Sequence, residues 1–149
     1  MPAFELNDGA GKAVTSASLM SGGPLVIYFY PRDFTPGCTA EACAFRDHHE
    51  DFAALGATVV GISSDPPERH AEFAAAHGLH FLLLSDPDKQ VLRRFGVRPV
   101  FGLFAGRETF VVDRKGVIRQ HIRANFNPRR HIAEALKAVR ELHGEDKQG

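Results

Sequence analysis

Apolar residues along the chain follow two periods, one suited to strands and one to helices. Leu25-Val26-Ile27-Tyr28-Phe29-Tyr30 is the longest unbroken apolar run. It is rich in β-branched and aromatic residues and reads as a strand buried on both faces. Pro31 ends it. Ala57 to Ser63 repeats the pattern, and Phe81 to Leu84 is a shorter third strand. Helical spacing fills the intervals. The first helix is predicted from Pro36 to about Leu55, with Ala42, Phe45, His49, Phe52 and Ala53 near one face, and Gly56 stops it. A second opens with Asp65 as its cap and Pro66-Pro67 in the first turn, runs to His77 and closes at Gly78. Asp86-Pro87 caps a third that reaches Phe95, with Gly96 as its stop. Upstream, Asn7-Asp8-Gly9 and Gly22-Gly23-Pro24 read as turns, with a helical turn over 15–20. Downstream, Glu108–Asp113 and Val117–Arg123 flank Arg114-Lys115-Gly116 as a hairpin, and Asn127-Pro128 opens a last helix ending near Leu142. The polar residues 143–149 read as a frayed tail.

The order βαβαβ(α)ββα predicts a single α/β domain over residues 1–149. It is the order of a thioredoxin-like fold, a central mixed sheet flanked by helices. With 44% hydrophobic and 24% charged residues, the composition is that of a soluble globular domain. Eighteen basic residues balance 18 acidic ones, leaving no cationic excess to hold a phosphate backbone, so no nucleic-acid partner is expected. No apolar run is long enough to cross a bilayer, and Met1-Pro2-Ala3-Phe4-Glu5 lacks the start of a signal peptide. The expected compartment is the cytoplasm, where a structural disulfide is not anticipated. That makes the close pair Cys38 and Cys43 a candidate for catalysis, redox exchange or metal binding.

The chemistry concentrates in Tyr30-Pro31-Arg32-Asp33-Phe34-Thr35-Pro36-Gly37-Cys38-Thr39-Ala40-Glu41-Ala42-Cys43, where a buried strand turns into a helix. Thr35 suits the N-cap and Pro36 the first helical position, which puts Cys38 third in the helix. A thiolate there faces unpaired backbone N–H groups and the positive end of the helix dipole. Both favour the anion and make Cys38 a nucleophile at neutral pH. The Thr35 hydroxyl lies within one turn, and Gly37 lets a substrate approach the backbone. Against this stands an inert core cysteine at a helix start; Cys43, taken alone, is ambiguous between a buried and a resolving thiol. Cys38, Cys43, His48 and His49 do not make a metal site. On one helix, at about 100° per residue, their side chains diverge. No metal or cofactor is expected, and His70, His77 and His80 read as surface residues.

The P-x-x-x-T-x-x-C string from Pro31 to Cys38 resembles the active-site signature of peroxiredoxins. The second cysteine, five residues on, resembles the peroxiredoxin Q group, also called bacterioferritin comigratory protein. The likeness extends to Pro2-Ala3-Phe4-Glu5-Leu6, similar to that family's A-P-D-F-x-L opening, and to Arg107-Glu108-Thr109-Phe110-Val111-Val112-Asp113, similar to its R-x-[ST]-F-x-x-D strand. The resemblance implies that Cys38 is the peroxidatic cysteine and Cys43 the resolving one. Thr35 and Arg107 would complete the peroxide site and Pro31 would shield it. A fixed cation beside the sulfur would stabilise the thiolate and the charge on the breaking O–O bond. The implied reaction is reduction of hydrogen peroxide and organic hydroperoxides through a Cys38 sulfenic acid and a Cys38–Cys43 disulfide. Thioredoxin or a similar dithiol would recycle it, and the chain would act as a monomer or weak homodimer.

Two alternatives remain at this level. A thioredoxin-like disulfide oxidoreductase would carry C-x-x-C at the helix start, where this chain has C-x4-C. A redox-regulated binding protein would use an apolar surface, and the loop from Val97 to Gly106 supplies Val100, Phe101, Leu103 and Phe104. The same side chains serve equally well to cover a core.

Overall fold

The computed structural model describes residues 1–149 except 21, 31, 32, 35, 98, 101–103, 106, 107, 124–127 and 149, together with the side chains of 37, 99, 100, 104, 105, 128, 131 and 146–148. Along the chain run β1 (Glu5–Asn7), β2 (Ala13–Thr15), α1 (Ser16–Leu19), β3 (Leu25–Phe29), α2 (Pro36–Asp47), α3 (His49–Ala54), β4 (Thr58–Ser63), α4 (Pro67–His77), β5 (Leu82–Ser85), α5 (Gln90–Arg94), β6 (Pro99–Val100), β7 (Phe104–Ala105), β8 (Glu108–Val112), β9 (Ile118–Arg123) and α6 (Pro128–Gln148). Seven strands form one sheet in the order β2-β1-β5-β4-β3-β8-β9, and β6-β7 make a separate two-stranded ribbon. Strands β3, β4 and β5 are parallel, while β8 pairs antiparallel with β3 and β9 antiparallel with β8. The sheet is mixed, as expected.

Strand β3 is an interior strand between β4 and β8, and all five of its residues are buried. Successive strand residues point to opposite faces. Val26 and Tyr28 accordingly join one core with Cys38, Ala42, Phe45, Phe52, Phe73 and Leu136, under α2, α3, α4 and α6. Leu25, Ile27 and Phe29 join a second core with Phe4, Leu19, Val91 and Phe95, on the other face. Gly61 on β4 makes room for Tyr28. A Cβ built there would lie 2.7 Å from the ring Cζ. The ring is locked between Phe45 and Tyr30, with centroids at 4.6 and 5.3 Å, and cannot step aside cheaply.

Several elements differ from the sequence expectation. The helix predicted as continuous from Pro36 to Leu55 divides at His48, whose imidazole lies 2.9 Å from Asp51. Phe45 and Phe52 still face the core on either side of the break, but Ala53 is exposed. Asp65 does not cap α4, whose N-cap is Pro66 without a side-chain bond. Its carboxylate is drawn elsewhere by the loop after β3. Helix α5 starts later than Asp86-Pro87 suggested, because Lys89 enters a left-handed conformation (φ 57°). The Asp86 carboxylate still reaches its first amides, Val91 at 3.3 Å and Leu92 at 3.0 Å. The helix expected to end near Leu142, with 143–149 as a frayed tail, continues to Gln148. A 2.8 Å bond from Arg119 on β9 to Glu145 holds that extension against the sheet edge.

The β8–β9 turn is organised by Asp113. Its Oδ1 accepts the amides of Lys115 at 2.9 Å and Val117 at 3.0 Å. Partial burial would raise this carboxyl, but the Val117 and Lys115 N–H groups and Arg119 outweigh it and hold the group below the usual carboxylate range. A depressed folded value gives stability that is present above the unfolded carboxylate range and is lost as pH falls through the folded value. Asp113→Ala is therefore expected to cost about 1 kcal/mol near neutral pH. The gap to wild type should close on acidification. A gap in urea midpoint that stays constant down to the acid limit would show that the carboxylate charge is irrelevant to the turn.

Candidate active site

The site is built where β3 ends. Tyr30 continues the strand direction by one residue, its N–H donating to the Ile62 carbonyl at 3.1 Å. The chain then turns through the loop that leads into α2, whose first residue is Pro36. That start makes Cys38 the third residue of the helix, as the sequence predicts. Proline lacks an N–H, and the remaining first-turn amides have no carbonyl one turn earlier within the helix to receive them. Cys38 lies there, 1% exposed, in the cluster that holds Tyr28, Tyr30, Ala42 and Phe45. Cys43 is on the same helix and half-buried, and the two are not joined in a disulfide. Pro31, Thr35 and Arg107, the other expected site residues, lie outside the described residues.

The histidines do not all sit where the sequence suggested. His77 is half-buried at the end of α4, with Nδ1 3.9 Å from the Cys43 sulfur. Its carbonyl accepts Arg46 Nη1 at 2.8 Å, which fastens the second half of α2 to the last turn of α4. His70 is fully buried, contrary to the surface placement. It enters a network that begins in the loop between β3 and α2. Tyr30 donates its hydroxyl proton to Asp33 Oδ1 at 2.5 Å, and His70 Nδ1 lies 2.5 Å from Asp33 Oδ2. The Asp33 N–H donates to Asp65 Oδ2 at 2.7 Å, and Ser63 Oγ donates to the same oxygen at 2.8 Å. No sequence signal marks these contacts, since Asp33 lies 32 residues from Asp65 and 37 from His70.

Asp33, Asp65 and His70 bring donor atoms within 4.8 Å of one another, the only such group among the described residues. Those atoms are occupied by hydrogen bonds to one another, to Ser63 and to the main chain, so the cluster is a structural network. Burial pushes the phenols of Tyr28 and Tyr30 well up, and neighbouring acidic groups push the same way. Both phenols stay neutral beside the helix that carries the thiols; Tyr30 donates to Asp33, whereas the buried Tyr28 hydroxyl has no hydrogen-bond partner among the described residues.

Comparison with known proteins agrees with this geometry. The AhpC/TSA family matches residues 1–121. The chloroplastic peroxiredoxin Q of Populus jackii is 47% identical over 142 residues, covering 95% of this chain and 66% of that protein. The chain thus spans about two thirds of the length of that relative. Peroxidoxin BcpB of Mycobacterium tuberculosis superposes with a TM-score of 0.89 at 39% identity, covering 95% of this chain and 94% of its own. The bacterioferritin comigratory protein of Xanthomonas campestris, described for its alkyl peroxide reduction activity, superposes with a TM-score of 0.85 at 32% identity, covering 94% and 92%. A cysteine in the first turn of the helix after β3, a second on the same helix and these likenesses together place the chain in the AhpC/TSA family, among the peroxiredoxins of the Q type.

Proposed function

We propose that this chain is a thiol-dependent peroxidase in which Cys38 attacks the peroxide and Cys43 resolves the product. The observation that carries the reading is Cys38, buried in the first turn of α2 with a second reduced cysteine on the same helix. The Cys38 thiolate attacks one peroxide oxygen. An S–O bond forms and the O–O bond breaks, the sulfur is oxidised by two electrons, and water or an alcohol leaves. The Cys43 thiol then attacks the sulfenic sulfur; an S–S bond forms, the S–O bond breaks and water leaves. An external dithiol, thioredoxin or a similar protein, restores both thiols by exchange. Thr35 and Arg107 serve as donors to the peroxide and Pro31 as its shield, by position in the family signature. None of these steps calls on a metal or organic cofactor. Organic hydroperoxides belong to the substrate range, on the likeness to the Xanthomonas protein described for alkyl peroxide reduction. The reading takes the chain to act as a monomer or weak homodimer in the cytoplasm. No described helix is long and apolar enough to cross a membrane.

Cys43→Ser tests the division of roles. The variant should react once with peroxide at close to the wild-type rate, then hold a sulfenic acid that a dimedone-type reagent labels on Cys38 and that excess peroxide over-oxidises. A variant that turns over continuously with thioredoxin would remove Cys43 from the cycle. Arg107→Ala should slow the peroxide step by about 10- to 100-fold and shift the thiolate titration to higher pH, because it removes a cation from a partly desolvated sulfur. Thiolate absorbance against pH, in the Cys43→Ser background, checks this. Superimposable curves with and without Arg107 would exclude it from the sulfur's surroundings.

A further inference from the structure

The network behind the catalytic loop has a proton count that its geometry fixes. His70 Nε2 lies 3.1 Å from the Leu84 carbonyl, which can only accept, so Nε2 carries a proton. His70 Nδ1 lies 2.5 Å from Asp33 Oδ2, and a carboxylate oxygen facing an unprotonated ring nitrogen would set lone pair against lone pair. One proton therefore lies between them. Asp33 Oδ1 meanwhile accepts the Tyr30 hydroxyl. All three side chains are at most 1% exposed. Asp33 stands midway between Pro31 and Thr35 in sequence, two residues from each of these expected site positions. The same segment is strained. Phe34 adopts a left-handed φ of 65°, unfavourable for a bulky side chain. Arg69 steadies it from α4, stacking on the Phe34 ring at 5.1 Å and reaching the Asp33 carbonyl at 3.5 Å.

We propose that Asp33, His70 and Tyr30 are positioning residues for the peroxide reaction: a buried carboxylate–imidazole pair sharing one proton, braced by the Tyr30 hydroxyl, anchors the catalytic loop to α4 and β5. Asp65, held by Ser63, clamps the Asp33 amide from the other side. The pair is electrically neutral overall, so it can stay buried without a counter-ion. This inference rests on the peroxidase reading for its kinetic consequence, and the proton count stands apart from that reading.

The test compares wild type with Tyr30→Phe, His70→Asn and His70→Phe. The rate of Cys38 oxidation by hydrogen peroxide is followed by rapid quench and mass. The rate of alkylation by iodoacetamide, which needs the thiolate but no peroxide geometry, is followed in parallel. Tyr30→Phe, which removes one oxygen, should slow oxidation by about 3- to 10-fold, and His70→Phe by more than about tenfold. His70→Asn should recover part of the loss, because its amide N–H can still donate to Asp33. Alkylation should change by less than about twofold throughout. Wild type should also show a far-downfield imidazole N–H proton resonance that is missing in His70→Asn. If His70→Phe fails to fold, Tyr30→Phe and His70→Asn carry the comparison. Wild-type oxidation rates in both of these folded variants, or no such resonance in wild type, would overturn the proposal. A wild-type protein that ignores peroxide while showing the resonance would instead overturn the peroxidase reading and leave the shared proton in place.

Discussion

Replacing Cys38 by serine is expected to abolish peroxide consumption, a loss on the order of 10³-fold or more. Serine in the first turn of α2 meets the same amides but stays protonated near neutral pH and is a poor nucleophile toward oxygen. The change is close to isosteric, and the buried cluster of Tyr28, Ala42 and Phe45 around it should survive. A urea denaturation curve near that of wild type is therefore expected alongside the lost activity. Normal turnover with a dithiol reductant and peroxide would place the chemistry on another residue and end the assignment of Cys38.

The second large effect concerns the helix itself. Cys38 and Cys43 both lie within α2, which runs unbroken from Pro36 to Asp47. On a regular helix, residues five apart are separated by about 9 Å between Cα atoms and point in different directions, beyond the limit of about 7 Å for a disulfide. The bond cannot form until the first turns of α2 open. Pro36 and Gly37 are weak helix formers and favour this opening. The cost is several backbone hydrogen bonds, at about 1 kcal/mol net each, and the exposure of Cys38 and Ala42. Beyond Cys43 the helix is held by Phe45, buried and stacked on Tyr28, and by Arg46 on the His77 carbonyl. Amide exchange over residues 39–45 should then be faster in the disulfide form than in the dithiol form, by tenfold or more for about 1.4 kcal/mol of lost protection. The later turns should keep theirs. Equal protection in the two forms, with the Cys38–Cys43 bond confirmed by peptide mapping, would mean that the helix does not open.

What the sequence made legible is what local chemistry determines. The run Leu25 to Tyr30, short, β-branched and aromatic, reads as a doubly buried strand, and β3 is an interior strand with both faces covered. Pro36 set the start of α2 and hence the place of Cys38, because proline is favoured at the first helical position, where its missing N–H costs no hydrogen bond. Gly56, Gly78 and Gly96 all adopt the left-handed conformation expected after a helix. What stayed hidden is long-range. Asp65 looked like a cap because an acid before two prolines usually is one. The loop amide of Asp33, brought in by the β3–β4 pairing, competes for it and wins. His70 looked solvated because nothing beside it in sequence explains a buried imidazole; its partners come from the loop after β3 and from β5. His77 meets Cys43 only because α4 packs its last turn against α2. The break at His48 carries no proline or glycine to announce it.

The central claim is that two thiols on one helix reduce one peroxide to make one disulfide. Rapid mixing of the reduced protein with a single equivalent of hydrogen peroxide, followed by acid quench and intact mass, tests it directly. The account predicts that wild type loses the mass of two hydrogens overall, while Cys43→Ser gains the mass of one oxygen and Cys38→Ser does not change. A wild-type protein that keeps its mass, or a Cys38→Ser variant that still gains oxygen at the same rate, would contradict it.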